Sequence, residues 1–492
     1  MKTTRREAEF RSKIPFECGT EEYKLYEKLI PVILALGNSL DIFIITDIEQ
    51  DRDDLLAVLI LLHMHYLGLI NIVGVIANHG PSEKRSKLLR TITYLLSCFD
   101  IPVAAGTDGT GGKEKRKLKW HELQNRTFEH QDWNKDNKER PSGYDLLDEA
   151  FKKVDAQKLT VLCLSSLQDI SEYLDKQDDE FIQNRLAKLV SQGGYEFHDG
   201  SIVPDMGAMN NKFHPEAAKS VTDRLNKLGI PSDAWGRHVA LAAPLARTFL
   251  EDLPGPVGHH LRCVSSRQDF VFGWDARHKP FMPHLDEKWL FRGLGMDPDS
   301  EKSKQMMEQR IPIRKLMQLG TFPAYDACAA IGALGDDVLQ CLGILSTTSE
   351  MPDSQLHRMF GQDRNDLGGV DAAKLKTAIE TFIKGSLLAT YELAEMMIPS
   401  DTIQYYTANY NVTLDIFQQQ LLYLETLEAF KRTEGITTED IERFMKDAFG
   451  DNRLRDAWGN LIKDLNGEVC PMIPTTIPYE YLYQLEGVAL GL

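Results

Sequence analysis

Apolar residues are spaced most tightly between Asp41 and Ala77, and the spacing changes twice within that stretch. Ile42 to Ile45 is a continuous run of β-branched and aromatic residues, which predicts a short strand buried on both faces. Asp47, Glu49, Asp51, Asp53 and Asp54 follow, five acids within eight positions. Leu55 to Ala77 then runs for twenty-three residues without Lys, Arg, Asp or Glu, enough to cross a bilayer on length alone. His63, His65, Gly68 and Asn71 interrupt it, and it divides into a helix to about Tyr66, a turn at Leu67-Gly68 and a strand from Ile70 to Ile76. A buried strand-helix-strand unit explains the same hydrophobicity without a membrane. The acids then sit on the loop at the carboxyl end of the first strand, the edge where open parallel sheets bind ligands.

The rest of the chain alternates in the same way. Glu21 to Leu36 predicts an amphipathic amino-terminal helix, and the second strand ends at Asn78. Ser82 to Cys98 predicts a helix, Ile101 to Gly106 a strand, Tyr144 to Val154 a helix and Lys158 to Leu164 a buried strand. Between them Thr107 to Ser142 is rich in Gly, Lys, Glu, Asn and Asp and predicts a long surface loop, a candidate lid. Leu189 to Gly194 reads as a strand tip, Ala234 to Leu250 as a helix, and Gly320 to Leu334 as a strand tip followed by a helix of small residues. From Ser265 to Gly320 the residues Phe270, Phe272, Trp274, His278, Phe281, His284 and Trp289 suit either a cap whose rings stack on a nucleobase or a satellite core. Beyond about residue 375 the pattern is helical throughout, clearest over Ala373 to Glu395, Thr413 to Lys431 and Thr438 to Phe449. The expected organisation is an amino-terminal helical segment (1–38), an α/β domain with a mostly parallel sheet flanked by helices (39–372), and a helical carboxyl-terminal extension (373–492).

Charge narrows the partners. A net charge of −17 argues against nucleic acid and against an anionic membrane surface, because phosphates are repelled unless a strong basic patch offsets the field. The one dense basic run, Lys113 to Lys119, is short and reads as a solvated loop. The seven cysteines are widely spaced and contain no CxxC pair, as expected for reduced thiols in a cytoplasmic setting. The first residues, MKTTRREAEFRSK, lack the apolar core of a secretory signal.

Five acids on one turn repel one another unless a cation sits among them. As a solvated turn with an N-cap they need number only one or two, so a hard cation is the better account. Carboxylate oxygens suit calcium or magnesium, and the turn offers no Cys or His for zinc. Asp47-Ile48-Glu49-Gln50-Asp51-Arg52-Asp53-Asp54 resembles the DxDxGxDD signature of the calcium-dependent nucleoside hydrolases. Ile101 to Gly106 resembles that family's IPVxxG strand, Leu164 with Ser165-Ser166 its GPLTN turn, Asn210 with His214 to Ala218 its AEFN and DPEAA segment, and Gly320 to Leu334 its FPxHDACAxA motif. The resemblance covers about residues 40–345.

It implies a nucleoside-hydrolase-like, Rossmann-like fold and Ca2+ held by Glu49, Asp54, Asp326 and the carbonyl of Leu164. It further implies Glu49 as base and Tyr325 at the leaving group, with Asp47, Asp51, Asp53, Asn78 and Asn210 on the substrate. Four positions depart from the family: Glu49 replaces Asp, Asp51 replaces Gly, Ala208 replaces Glu, and Tyr325 replaces His. These departures resemble the divergent branch of plant-pathogen effectors of the XopQ type, whose ligands include larger adenine ribosides such as ADP-ribose. The function implied is hydrolysis of the N-glycosidic bond of a ribonucleoside or derivative. The alternative is a ribosyl-ligand-binding or host-interaction protein with impaired turnover, and a homo-oligomer or a host protein partner is compatible with either.

Overall fold

The structure is a computed structural model that describes residues 2–15, 19–35, 39–48, 51–111, 141–155, 159–278, 286–309, 311, 313–346 and 356–397. Glu49, the greater part of the expected lid and the expected helices beyond Met397 lie outside the described residues. Two compact units are present.

The first unit is built on a seven-stranded sheet. Its strands are β1 (Leu40–Thr46), β2 (Ile70–Ala77), β3 (Val103–Ala105), β4 (Leu159–Cys163), β5 (Leu186–Gln192), β6 (Ser232–Trp235) and β7 (His357–Phe360). Their order is β7-β6-β5-β4-β1-β2-β3, and every neighbouring pair is parallel. From β1 the chain winds outward one way through β2 and β3, then returns beside β1 at β4 and winds outward the other way. The carboxyl ends of β1 and β4 therefore form the topological switch point, where a crevice opens between diverging connections. Ile44 of β1 pairs with Val75 on one side and Leu162 on the other, which explains why this strand is apolar at successive positions rather than alternately.

Both sheet faces are covered. Phe43 and Ile45 point into a core shared with Phe151, Ile170, Tyr173, Val221 and Leu225, from the helices Gly143–Lys153, Gln168–Lys176 and Pro215–Leu228. The helix Arg52–Leu67 is buried on almost every side and packs against the helix Tyr325–Gly332. It ends at Gly68, whose φ of 79° is left-handed and whose N–H bonds back to the His65 and Met64 carbonyls, a cap that a β-carbon would strain. At the far end of the same helix, Tyr26 Oη lies 2.8 Å from His63 Nε2. A β-carbon on Gly385 would come within 2.0 Å of that hydroxyl. Burial pushes the His63 imidazole down to about 3, so the pair is neutral.

The expected helix over Ala234 to Leu250 is corrected: Ser232–Trp235 is a strand, Arg237–Ala242 a short helix and Arg247–Leu250 a 3-10 turn. Strand β6 hides in the sequence because its second residue is Asp233. That carboxylate, 2% exposed, receives Arg358 of β7 in a two-point contact at 2.7 Å each and pairs with Lys188 of β5. Arg358 grips Asp336 in the same way. Each strand thus supplies the partner that lets its neighbour bury a charge.

In the second unit the described residues of the aromatic region are helical: Gly255–His278, Glu287–Gly293, Glu301–Glu308 and Ile313–Gln318. Asp286 and Ser300 cap two of these through the N–H groups of Trp289 and Ser303. Phe272 and Trp289 place their ring centroids 6.3 Å apart, and Trp289 is exposed. Among the described residues no helix is long and apolar enough to cross a membrane.

Candidate functional site

The loop after β1 and the start of the helix Tyr325–Gly332 bring carboxylates together from opposite ends of the first unit. One oxygen from each of Asp51, Asp53, Asp54 and Asp326 lies within 4.8 Å of the others. Asp53, Asp54 and Asp326 are 5%, 2% and 5% exposed, and Asp51 is the partly exposed member. Asp54 stands well above the ordinary carboxylate range, because burial and the charges of Asp47 and Asp51 oppose its ionisation. Thr46 Oγ1 donates to Asp54 Oδ1 and pulls the other way. Asp326 is raised for the same reasons, burial first and then the charges of Asp54, Asp51 and Asp47. A cluster held in this state requires either a proton or a cation among its oxygens.

The four acids have distinct local duties. Asp51, in extended conformation, is the N-cap of the helix Arg52–Leu67, its carboxylate accepting from Asp53 N–H at 3.3 Å. Asp53 reaches across instead. Its Oδ2 accepts from the backbone N–H of Tyr325 at 3.0 Å and of Asp326 at 3.3 Å. The N-cap of that helix is Ala324, which offers no side-chain acceptor, so Asp53 supplies from another segment the acceptor that the helix start lacks. Asp326 therefore does not cap its own helix, and its carboxylate is left to the cluster.

Arg85 sets the shape of the acidic loop. Buried at 4% exposure, it donates from Nη1 to the carbonyls of Asp47 and Ile48 at 2.6 and 2.7 Å, and from Nε to the carbonyl of His79 at 2.8 Å. Its charge also lowers Asp54 against the larger upward effects. Sequence reasoning missed it, because an arginine in an amphipathic helix carries no signal of a backbone contact 38 residues away.

Across the switch point amide side chains gather at the tips of β2 (Asn78) and β5 (Gln192), joined by Asn210 of the short helix Met209–Phe213. Asn78, at 0% exposure, donates to the Ser166 carbonyl at 3.0 Å and to Asp169 Oδ2 at 2.7 Å. Thr107 donates to the same Asp169 through its N–H and its hydroxyl. The Asn78 Oδ1 is buried and has no donor among the described residues. Asn210 donates to the Leu164 carbonyl at 3.0 Å and to the backbone and side-chain oxygens of Gln192 at 3.2 and 2.8 Å. The Leu164 carbonyl that the family resemblance assigns to the metal therefore accepts from Asn210 in this structure. The Tyr325 phenol, pushed up to about 12 by burial and by Asp51, is neutral through the physiological range.

No protein-family model and no curated protein sequence matches the chain. Solved structures do. The fold is similar to that of the type III effector protein XopQ complexed with adenosine diphosphate ribose, with a TM-score of 0.59 at 19% identity over 75% of this chain and 100% of that one. It is likewise similar to the effector protein XOO4466, at 0.57 and 20% over 74% and 99%. A plant nucleoside hydrolase matches at a TM-score of 0.40 and 13% identity over 60% and 78%. A purine-preferring ribonucleoside hydrolase from Gardnerella vaginalis matches at 0.41 and 16% over 71% and 99%. The chain carries the α/β fold seen in the effector proteins XopQ and XOO4466.

Proposed function

We propose that the protein is an N-ribosyl hydrolase, cleaving the N-glycosidic bond of a ribonucleoside or derivative at a calcium site. The observation that carries this reading is the convergence of four carboxylates within 4.8 Å at the carboxyl edge of the sheet. An all-oxygen donor set, buried and mutually repelling, fits a hard cation and no softer one. Asp54 and Asp326 would hold it, with Glu49 and the Leu164 carbonyl as the remaining ligands that the family resemblance implies. Calcium, when bound, supplies Lewis acidity toward a water and neutralises the acids around it.

The chain's own residues do the rest. The unpaired Oδ1 of Asn78 accepts a sugar hydroxyl, satisfying a buried acceptor that is otherwise costly. Asp53 fixes the start of the Tyr325–Gly332 helix and so sets where Tyr325 and Asp326 stand. Tyr325, a neutral donor, offers its phenol proton to the departing base, and Glu49 serves as the general base. The complex of XopQ with adenosine diphosphate ribose supports a ribosyl ligand class.

A second reading, ribosyl-ligand binding without turnover, is favoured by one contact. Asn210 occupies the Leu164 carbonyl, while Ala208 stands where the resemblance calls for a sugar-binding Glu. Calcium with a panel of ribonucleosides, nucleoside monophosphates and ADP-ribose, scored for release of free base, decides between them. Release that Asp54→Ala abolishes supports the hydrolase. Saturable binding with no release across the panel supports the second reading, and neither binding nor release refutes both.

A further inference from the structure

Asp169 is the second residue of the helix Gln168–Lys176, a place where a carboxylate ordinarily does no more than face the positive end of the helix dipole. This one is turned elsewhere. Its Oδ2 accepts from Asn78 Nδ2 at 2.7 Å and from the Thr107 hydroxyl at 2.8 Å, and its Oδ1 accepts from the Thr107 N–H at 2.8 Å. The residue is 7% exposed, and three donors around an acceptor-only group are what an ionised carboxylate needs once burial removes its water. Burial raises its pKa, and the same three bonds oppose the rise.

The segment Gly106 to Gly111, which follows β3, is tied down beside this contact. Gly106 N–H donates to the Ala77 carbonyl at 2.8 Å, and the N–H groups of His79 and Gly80 donate to the carbonyls of Thr107 and Asp108 at 3.1 Å each. Ser166 Oγ donates to the Gly109 carbonyl at 2.7 Å. A β-carbon on Gly106 would lie 2.6 Å from Asp169 Oδ1 and 2.9 Å from the Asn78 β-carbon, so only glycine lets the backbone pass this close to both.

Asn78 is anchored to the neighbouring strand, its N–H donating to the Thr46 carbonyl at 2.9 Å, one residue before the acidic run begins at Asp47. Its side-chain amide commits both protons, one to the Ser166 carbonyl at 3.0 Å and one to Asp169. Turned the other way, the amide would set Oδ1 against a carbonyl and a carboxylate, neither of which can donate. Oδ1 is therefore held away from them, buried and with no donor among the described residues. An asparagine in place of Asp169 would remove that constraint, because its amide could donate to Oδ1 and let Asn78 turn. We propose that Asp169 is a positioning residue that fixes the Asn78 amide so that only Oδ1 faces the ligand, which makes the site select ligands bringing a hydroxyl donor to that point. The inference rests on the proposed function for the ribosyl ligand, not for the orientation of the amide.

The test has two readouts on the full chain in calcium. In titration calorimetry with adenosine and its 2′- and 3′-deoxy analogues, wild type should bind adenosine at least about tenfold more tightly than one of the analogues, the worth of one buried hydrogen bond. Asp169→Asn should weaken adenosine and leave that analogue unchanged, so that the ratio falls to about threefold or less. Thr107→Val takes one donor from Asp169 without touching Asn78 and should keep the wild-type ratio. The second readout needs no ligand. In protein carrying isotope-labelled asparagine, the NMR signals of the two Asn78 amide protons, identified by their loss in Asn78→Ser, should exchange slowly with water in wild type and much faster in Asp169→Asn. Wild type that binds all three nucleosides equally, equal losses for all three in Asp169→Asn, or a ratio lost as fully in Thr107→Val overturns the proposal. So do Asn78 amide protons that exchange at solvent rates in wild type, a result that stands even if Asp169→Asn fails to fold. Slow exchange that depends on Asp169, in a protein that binds none of the three, upholds the positioning role and refutes the ribosyl reading.

Discussion

Replacing Asp326 with asparagine should stabilise the protein in chelator and forfeit most of the further stabilisation that calcium gives the wild type. The side chain keeps its shape and loses one charge. With carboxylate oxygens all within 4.8 Å of one another, one ionised pair at that limiting separation repels by about 3.5 kcal/mol at an effective dielectric of about 20. Burial and repulsion already hold Asp54 and Asp326 above the ordinary carboxylate range, so protonation relieves part of that energy and the net gain is on the order of one pair. Calorimetric scans in EDTA at pH 7 should then show Asp326→Asn melting up to about 7 °C above wild type, at about 2 °C per kcal/mol. The sign with pH follows. A folded-state pKa above the unfolded value means that the native chain holds protons the unfolded chain has released, so wild-type stability in EDTA falls as pH rises from about 4 through the raised values. Asp326→Asn should flatten that fall. In calcium at about a hundred times its dissociation constant, wild type gains about 2.7 kcal/mol, and the variant loses most of this. If Asp326→Asn melts below wild type by the same margin in EDTA and in calcium, the acids are a packing feature and the cation argument fails.

Three further substitutions probe the frame around the cluster. Asp53→Ala removes the acceptor for the Tyr325 and Asp326 N–H groups and should lower stability by about 1 to 2 kcal/mol with or without calcium, as loss of a helix cap does; a denaturant midpoint unchanged in EDTA would contradict it. Arg85→Met strands the carbonyls of Asp47, Ile48 and His79, and amide exchange of the acidic loop should speed up markedly as the fold loses about 2 to 4 kcal/mol. Gly385→Ala drives a β-carbon into Tyr26 Oη and should cost about 1 to 3 kcal/mol by overpacking, while Tyr26→Phe on the same background should recover part of it.

Much of the fold was legible because the core strands announce themselves. Ile42 to Ile45 and Leu159 to Cys163 are largely apolar runs lying side by side in the sheet, and the acid run between strand and helix marks the carboxyl edge. The two strands at one end of the sheet, β6 and β7, were not legible. Ser232–Trp235 and His357–Phe360 contain Asp233 and Arg358, and each reads as polar until the other is known to lie beside it. Spatial pairing, not local pattern, makes them strands. In the site, the acids and Asn78 were visible as residue types, but their duties were not. That Asp53 serves a helix 272 residues away, that Asn210 holds the Leu164 carbonyl, and that Arg85 pins the acidic loop are long-range backbone contacts, for which the sequence carries no periodicity to read.

The most direct test of the account is an equilibrium calcium titration of metal-free protein, wild type against Asp54→Asn with Asp326→Asn, followed by calorimetry or radiolabelled calcium. The account predicts one calcium per chain for wild type, with proton release because Asp54 and Asp326 are raised above the ordinary carboxylate range, and no binding by the double variant at the same concentrations. Wild type that binds no calcium, or a double variant that binds it as well as wild type, would contradict it.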